Sequence, residues 1–223
     1  MILSREFEAH IAAERIIDMV RSAGFDITNP YSIINADWSM FPDDMRFGYG
    51  ASRLVIWDED YCDYVIKIAL YEDYEKYCQH EVDIYEAAAK EGLADKFAWC
   101  CCYSEPEKCG DIYIPGIYVM EYVDCDEDAV QDSTWMFGYQ SYCKMKGLDS
   151  STYDAADEYN EWNWRAEDDN EMIMDYLEAQ VDEERRRTFN IFMVKWQITD
   201  IHSQNVGFKD NRMVMVDYAG WNW

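Results

Sequence analysis

Asp200, Asn205 and Asp217 are the residues of this chain whose types and spacing could do chemistry. The first two frame the run Asp200-Ile-His-Ser-Gln-Asn205, read as a short loop after an apolar helix. Asp217-Tyr-Ala-Gly220 follows, at the end of the apolar strand pattern Met213-Val-Met-Val216. Two carboxylates and a carboxamide make an oxygen-only set. A carboxylate within reach of a hydroxyl can take its proton, and oxygen donors are what a hard cation binds. Each motif also has a plain reading. A chain so rich in acids offers Asp-x-x-x-x-Asn spacings by chance, and Asp-x-x-Gly suits a strand-end turn.

Four features stand upstream, in order. Gly48-Tyr-Gly50-Ala-Ser-Arg53-Leu-Val55 is a glycine turn running into a strand. Tyr64-Val-Ile-Lys67 sets a lysine inside an apolar strand. Glu81 falls on the apolar stripe of a helix, and Tyr118-Val-Met-Glu121-Tyr-Val123 is a further strand and its exit. With these motifs in this order, the chain from about residue 46 to its end resembles the protein-kinase-like superfamily. The resemblance implies an α+β, bilobal protein-kinase-like fold. Residues 1–120 would be an N-terminal helix extension and an antiparallel β-sheet N-lobe, and residues 121–223 a reduced α-helical C-lobe. It implies ATP and Mg²⁺ as ligands, in a cleft between a sheet-rich and a helical lobe, and phosphoryl transfer to an acceptor.

In that reading Gly48, Gly50 and Val55 cover the nucleotide, and Glu121 and Val123 receive the adenine. Lys67 grips phosphates while paired to Glu81, Asn205 and Asp217 hold Mg²⁺, and Asp200 accepts or orients the acceptor hydroxyl. Lys67, Glu81 and Asp200 form the catalytic set. A catalytically inactive pseudokinase, or an acidic mimic of DNA, are the other readings of the same chain.

The chain departs from the family pattern at several places. Arg53 stands where the third glycine of G-x-G-x-x-G-x-V belongs. Ile198 and Thr199 replace the His and Arg before the catalytic acid, so control through a phosphorylated activation loop is not expected. His202 stands where many kinases have a lysine; it either donates a hydrogen bond or braces the loop. Only Trp221-Asn-Trp223 follow Gly220. The lower lobe is therefore expected to be truncated, with at least one of these tryptophans packed near the Phe189 to Trp196 helix.

The elements that must position these residues read as follows. Residues 5–23 form an amphipathic helix with Ser4 as N-cap, Gly24 as stop, and Phe7, Ile11, Ile16 and Val20 on one side. Residues 25–46 read as mostly irregular connection. Arg53–Trp57 and Tyr64–Leu70 make a hairpin across the acidic turn Asp58-Glu-Asp60. Lys67 on alternation alone could face solvent, but Glu81 lies on the inward face of the helix from about Tyr71 to Lys90, and a buried acid requires a partner. Phe97–Tyr103 and Ile112–Met120 read as two more strands of the same sheet, joined by a loop. Asp126–Lys146 and the stretch from about Glu167 read as helical. Arg185–Ile198 is apolar nearly all round, which predicts a buried helix.

Net charge is −27 over 223 residues, and it is uneven. Residues 121–184 hold twenty acids against Lys144, Lys146 and Arg165, a local charge of −17. Such a field repels nucleic acid and anionic membranes, so neither is an expected partner. It fits either a solvated face or a docking surface for a basic protein. Eight cysteines include the consecutive Cys100, Cys101 and Cys102 but no C-x-x-C pair, so reduced thiols are expected rather than a zinc site. The sequence has no long uncharged apolar run, and its first residues carry charge where a signal peptide needs an apolar stretch, so a cytoplasmic location is expected.

Overall fold

Strand β3 (Tyr64–Ala69) is buried at every position, because both faces of the sheet that contains it are covered. The computed structural model describes residues 4–61, 63–166 and 169–219. Glu167, Asp168, Gly220, Trp221 and Trp223 lie outside the described residues, and with them the expected tryptophan packing. The chain divides into two units, one running to Lys90 and including Ala98–Tyr122, the other formed by Glu91–Phe97 and the chain from Val123 on.

The first unit is α+β. Its five-stranded antiparallel sheet has the order β1 (Met45–Tyr49), β2 (Arg53–Asp58), β3, β7 (Ile117–Glu121), β4 (Cys100–Ser104). Successive side chains of a strand point to opposite faces, and the sequence uses both. Leu54, Ile56, Ile66, Ile68, Ile117 and Val119 form one core with helix α1 (Arg5–Ser22). Each such aliphatic contributes about 1.5–3 kcal/mol when fully buried. Arg53, Val55, Lys67 and Tyr118 alternate with them, and helix α3 (Glu75–Lys90) packs against β3 and β4.

Helix α1 is capped as expected, with Ser4 Oγ accepting from the Phe7 N–H, and it buries Ile16 and Val20 as expected but not Phe7 or Ile11. Ala9, Ala13, Ile16, Ile17 and Val20 are buried, while Phe7 and Ile11 are each 50% exposed. The two alanines let the helix backbone lie close to the sheet, which larger side chains would prevent. The connection expected to be irregular contains a short helix, α2 (Pro30–Ile34). Asn29 caps it and Pro30 starts it, the position where a missing N–H costs nothing.

The expected strand Ile112–Met120 is two strands. Pro115 has no N–H to give a ladder, and the Gly116 N–H is directed to Glu75 Oε2 at 3.3 Å. The part before this break, β6 (Ile112–Ile114), pairs as a separate hairpin with β5 (Glu107–Cys109), which lies in the expected loop. Burial pushes the Cys78 and Cys102 thiols up to about 12 and Cys101 to about 11, so these thiols stay protonated and poorly nucleophilic.

The second unit holds helices α4 (Glu127–Lys146), α5 (Tyr153–Ala166), α6 (Asp169–Ala179) and α7 (Glu183–Lys195), with the hairpin β8 (Val206–Lys209) and β9 (Arg212–Met215). Asp126 caps α4 by accepting from the N–H groups of Asp128 and Ala129, and Gly147 ends it at φ 68°. The hairpin turns through Asp210 and Asn211, both at positive φ, as a two-residue turn of the right twist requires. Phe97 lies within 5.5 Å of the Phe192 ring and 5.1 Å of Tyr218, centroid to centroid. Helix α7 corrects an expectation. Phe189, Phe192 and Met193 are buried, but Ile191 is 56% and Val194 79% exposed, so it is covered on one side only.

Tyr139, Tyr142, Cys143, Ala155 and Tyr159 form the core between α4 and α5. Gly138 is there because of Tyr159: a Cβ on it would lie 2.2 Å from the Tyr159 hydroxyl, on a ring with no exposure. Gly138→Ala should therefore destabilise by roughly 1–3 kcal/mol through overpacking, against a helix-propensity gain of about 1 kcal/mol. Tyr159→Phe in the same chain should recover part of that loss. Urea midpoints of the two single variants and the double measure it; strict additivity would mean the two residues do not meet. Among the described residues no helix is long and apolar enough to cross a membrane.

Candidate functional site

In the first unit, one carboxylate organises the polar face of the sheet. Glu81 is 1% exposed, on the α3 face turned to β3. Its Oε1 and Oε2 accept from Lys67 Nζ at 3.1 and 3.0 Å. Arg53 Nη1 donates to the same Oε1 at 2.8 Å. Lys67 and Arg53 are themselves 7% and 8% exposed. Lys67 sits in a row across three strands, with Val55 opposite it on β2 and Tyr118 on β7. Burial first, then the nearby Glu75 carboxylate, raises the Tyr118 phenol far above its ordinary value.

Arg53 is the residue sequence reasoning missed. Read as a failed glycine, it is a strand residue pointing to the Lys67 face, where it shares the acid. The signal was present: alternation puts Arg53, Val55 and Trp57 opposite Leu54 and Ile56, so a charge at 53 needs a partner on the side where Glu81 lies.

The turn between β1 and β2 is closed by the Gly50 N–H donating to the Arg53 carbonyl at 3.0 Å. A Cβ built on Gly48 or Gly50 would meet nothing within 4 Å. Nothing in the fold itself therefore requires glycine at these two positions. The Glu121 side chain is engaged within the first unit. Its Oε1 accepts from the Trp99 N–H at 2.7 Å and its Oε2 pairs with Arg5 of α1. Its carboxylate fastens the N-terminal helix, so any role toward a ligand at this position falls to the main chain.

In the second unit, Asp200, Asn205 and Asp217 come from one loop and one hairpin. Asn205 Nδ2 donates to the Asp200 carbonyl at 2.8 Å, which uses the amide's donor end and leaves its oxygen end as the ligand-type atom. The Val216 N–H donates to the Asn205 carbonyl at 2.9 Å, so Asp217 stands one residue along from Asn205's partner across the base of the hairpin. The Asp200 side chain is 38% exposed. His202 Nδ1 accepts from the Gln204 N–H at 3.3 Å, and its Nε2 stands 3.6 Å from Asp200 Oδ1. These contacts tie the His202 ring to its own loop. Val123 is buried, with Cγ1 against the backbone at Gly207.

Among the described residues no group of three or more His, Cys, Asp or Glu side chains is placed to hold a metal ion. Asn205 and Asp217 carry oxygen donors, the type Mg²⁺ takes, and that ion commonly keeps one or two protein ligands and fills its octahedron with water and phosphate oxygens. Comparison with family models, with curated proteins and with solved structures finds no match to this chain.

Proposed function

We propose that the chain is a kinase-like protein that binds ATP with Mg²⁺ and transfers a phosphoryl group to an acceptor. The observation that carries this reading is the lysine in the middle of a sheet strand, bonded by both oxygens of a fully buried glutamate on the helix that follows. A pair of this kind orients a phosphate-holding lysine in protein kinases. The glycine turn with open space at both glycines, and the Asp200–Asn205 loop leading into Asp217, add to it.

Each residue has a part. Lys67, held by Glu81, presents an ammonium to phosphate oxygens. Gly48 and Gly50 let backbone approach the same groups. Asp200 orients the acceptor hydroxyl and takes its proton, and His202 keeps the Asp200–Asn205 loop in shape. Asn205 and Asp217 would hold Mg²⁺, which supplies charge neutralisation along the phosphates. Catalysis on such a plan is positioning plus electrostatics. Arg53 favours a second reading, a non-catalytic relative of the same fold, because a second buried cation competes with Lys67 for one acid.

Saturating Mg-ATP, at about 100 times its dissociation constant, should stabilise the protein by roughly 2.7 kcal/mol. Asp217→Asn should remove the metal-dependent part of that shift. Differential scanning fluorimetry with ATP, Mg²⁺ and both together measures it. An unchanged wild-type melting temperature at millimolar Mg-ATP would end the nucleotide reading.

A further inference from the structure

A cavity of about 550 Å³ lies in the second unit, between α6, α7 and the segment that leads into Asp200. Its apolar side is Met174, Met193, Val194, Ile198 and Ile201. Val194, 79% exposed, stands at its edge, and Ile191 beside it on α7 is 56% exposed. Valine and isoleucine this open on adjacent turns are an apolar surface that the described chain does not cover.

The other side of the cavity is acidic. Glu171, Asp175 and Glu178 recur at the i, i+4, i+7 spacing of one helix face, and all three line it. Glu178 has company, accepting from Asn190 Nδ2 at 3.1 Å with Arg186 Nε at 3.7 Å. Glu171 and Asp175 have no cation partner among the described residues. Partial burial, then Glu178 and Glu171, hold the Asp175 carboxyl above its ordinary value, the sign of a negative charge lacking compensation.

We propose that this groove is a docking site for a cationic amphipathic helix of a partner protein, its apolar face on Val194 and Met174, over a floor of the buried Met193 and Ile198, and its Lys or Arg side chains on Glu171 and Asp175. Charge selects that occupant. A second copy of this chain brings another −27, and nucleic acid or an anionic bilayer brings the same sign. A helix laid into an apolar groove with basic flanks meets both halves of the surface. The inference does not depend on nucleotide binding, and its readout is separate from it.

A fluorescein-labelled synthetic helix, with leucines along one face and lysines along its flanks, tests it by anisotropy against the purified protein. Wild type should bind this peptide. Val194→Ser, and the pair Glu171→Gln with Asp175→Asn, should each weaken it about tenfold, and added salt should weaken it further. Glu6→Gln with Glu14→Gln on α1 removes the same number of charges far along the sequence and should change little. A peptide with serine for leucine should bind at least about tenfold less tightly, since the apolar half of the match is gone. Equal weakening by the groove pair and the α1 pair would reduce the effect to net charge and overturn the proposal. So would equal binding of the serine peptide, or no binding at all. A concentration-dependent dimer in sedimentation that Val194→Ser abolishes would assign the face to a second copy instead.

Discussion

Glu81→Gln should destabilise the protein by about 3–5 kcal/mol, the usual cost of breaking a buried ion pair from one side. Glutamine keeps the shape and one acceptor oxygen but removes the charge. Lys67 and Arg53, 7% and 8% exposed, would then face a neutral amide, with little water to take over. With urea slopes of about 1–3 kcal/mol per molar for small proteins, the midpoint should fall by about 1 M or more. The matching experiment removes the charges together. Arg53→Met, Lys67→Met and Glu81→Leu in one chain should be less destabilised than Glu81→Gln alone, because apolar side chains of similar volume need no counter-charge. If the proposed nucleotide site is right, that triple variant should also lose stabilisation by Mg-ATP, which separates the group's part in the fold from a part in binding. If Glu81→Gln unfolds at the wild-type midpoint, the shared carboxylate contributes nothing, and the strongest support for a phosphate-holding lysine goes with it.

The pair was legible because each member is odd by itself. A lysine inside an apolar strand and an acid on an apolar helical stripe explain one another, and the structure bonds them. Arg53 was not legible as a partner, because the glycine pattern invites reading it as a mismatch instead of a strand residue. Helix α1 shows a different limit. Hydropathy favours Phe7 and Ile11 for the buried face, but helix-to-sheet distance favours Ala9 and Ala13, and distance wins. Likewise the apolar run of α7 says only that many residues can be buried. Which of them are depends on what the rest of the chain brings, and nothing described covers Ile191 and Val194. Pro115 and Gly116 did carry a readable break, hidden by the β-rich residues around them.

Three glycines, two kinds of cause, and opposite expected results follow from their surroundings. A Cβ at Gly207 would lie 2.3 Å from the Asp124 carbonyl oxygen, 2.9 Å from its carbon and 2.8 Å from Val123 Cγ1. Those first two atoms are backbone and cannot swing aside. The same Asp124 carbonyl accepts the Phe208 N–H at 2.8 Å, a bond that holds β8 to this segment. Gly207→Ala must push the strand away and strain or break that bond, so it should destabilise by roughly 1–3 kcal/mol or more, as overpacking does. Because Asn205 lies two residues before Gly207, the same change should also weaken the Mg²⁺-dependent part of any ATP stabilisation. Gly48 and Gly50 have neither a crowded Cβ position nor a φ in the left-handed region. Gly48→Ala and Gly50→Ala should leave the melting temperature of the ligand-free protein close to wild type. If backbone at this turn approaches phosphate, both should nonetheless bind Mg-ATP more weakly, because the added methyl occupies the space the ligand needs. Calorimetry without ligand and a nucleotide titration read the two effects separately. An unchanged melting temperature for Gly207→Ala would refute the close approach in the second unit. Wild-type nucleotide affinity in both variants would remove Gly48 and Gly50 from the proposed site without bearing on Lys67 and Glu81.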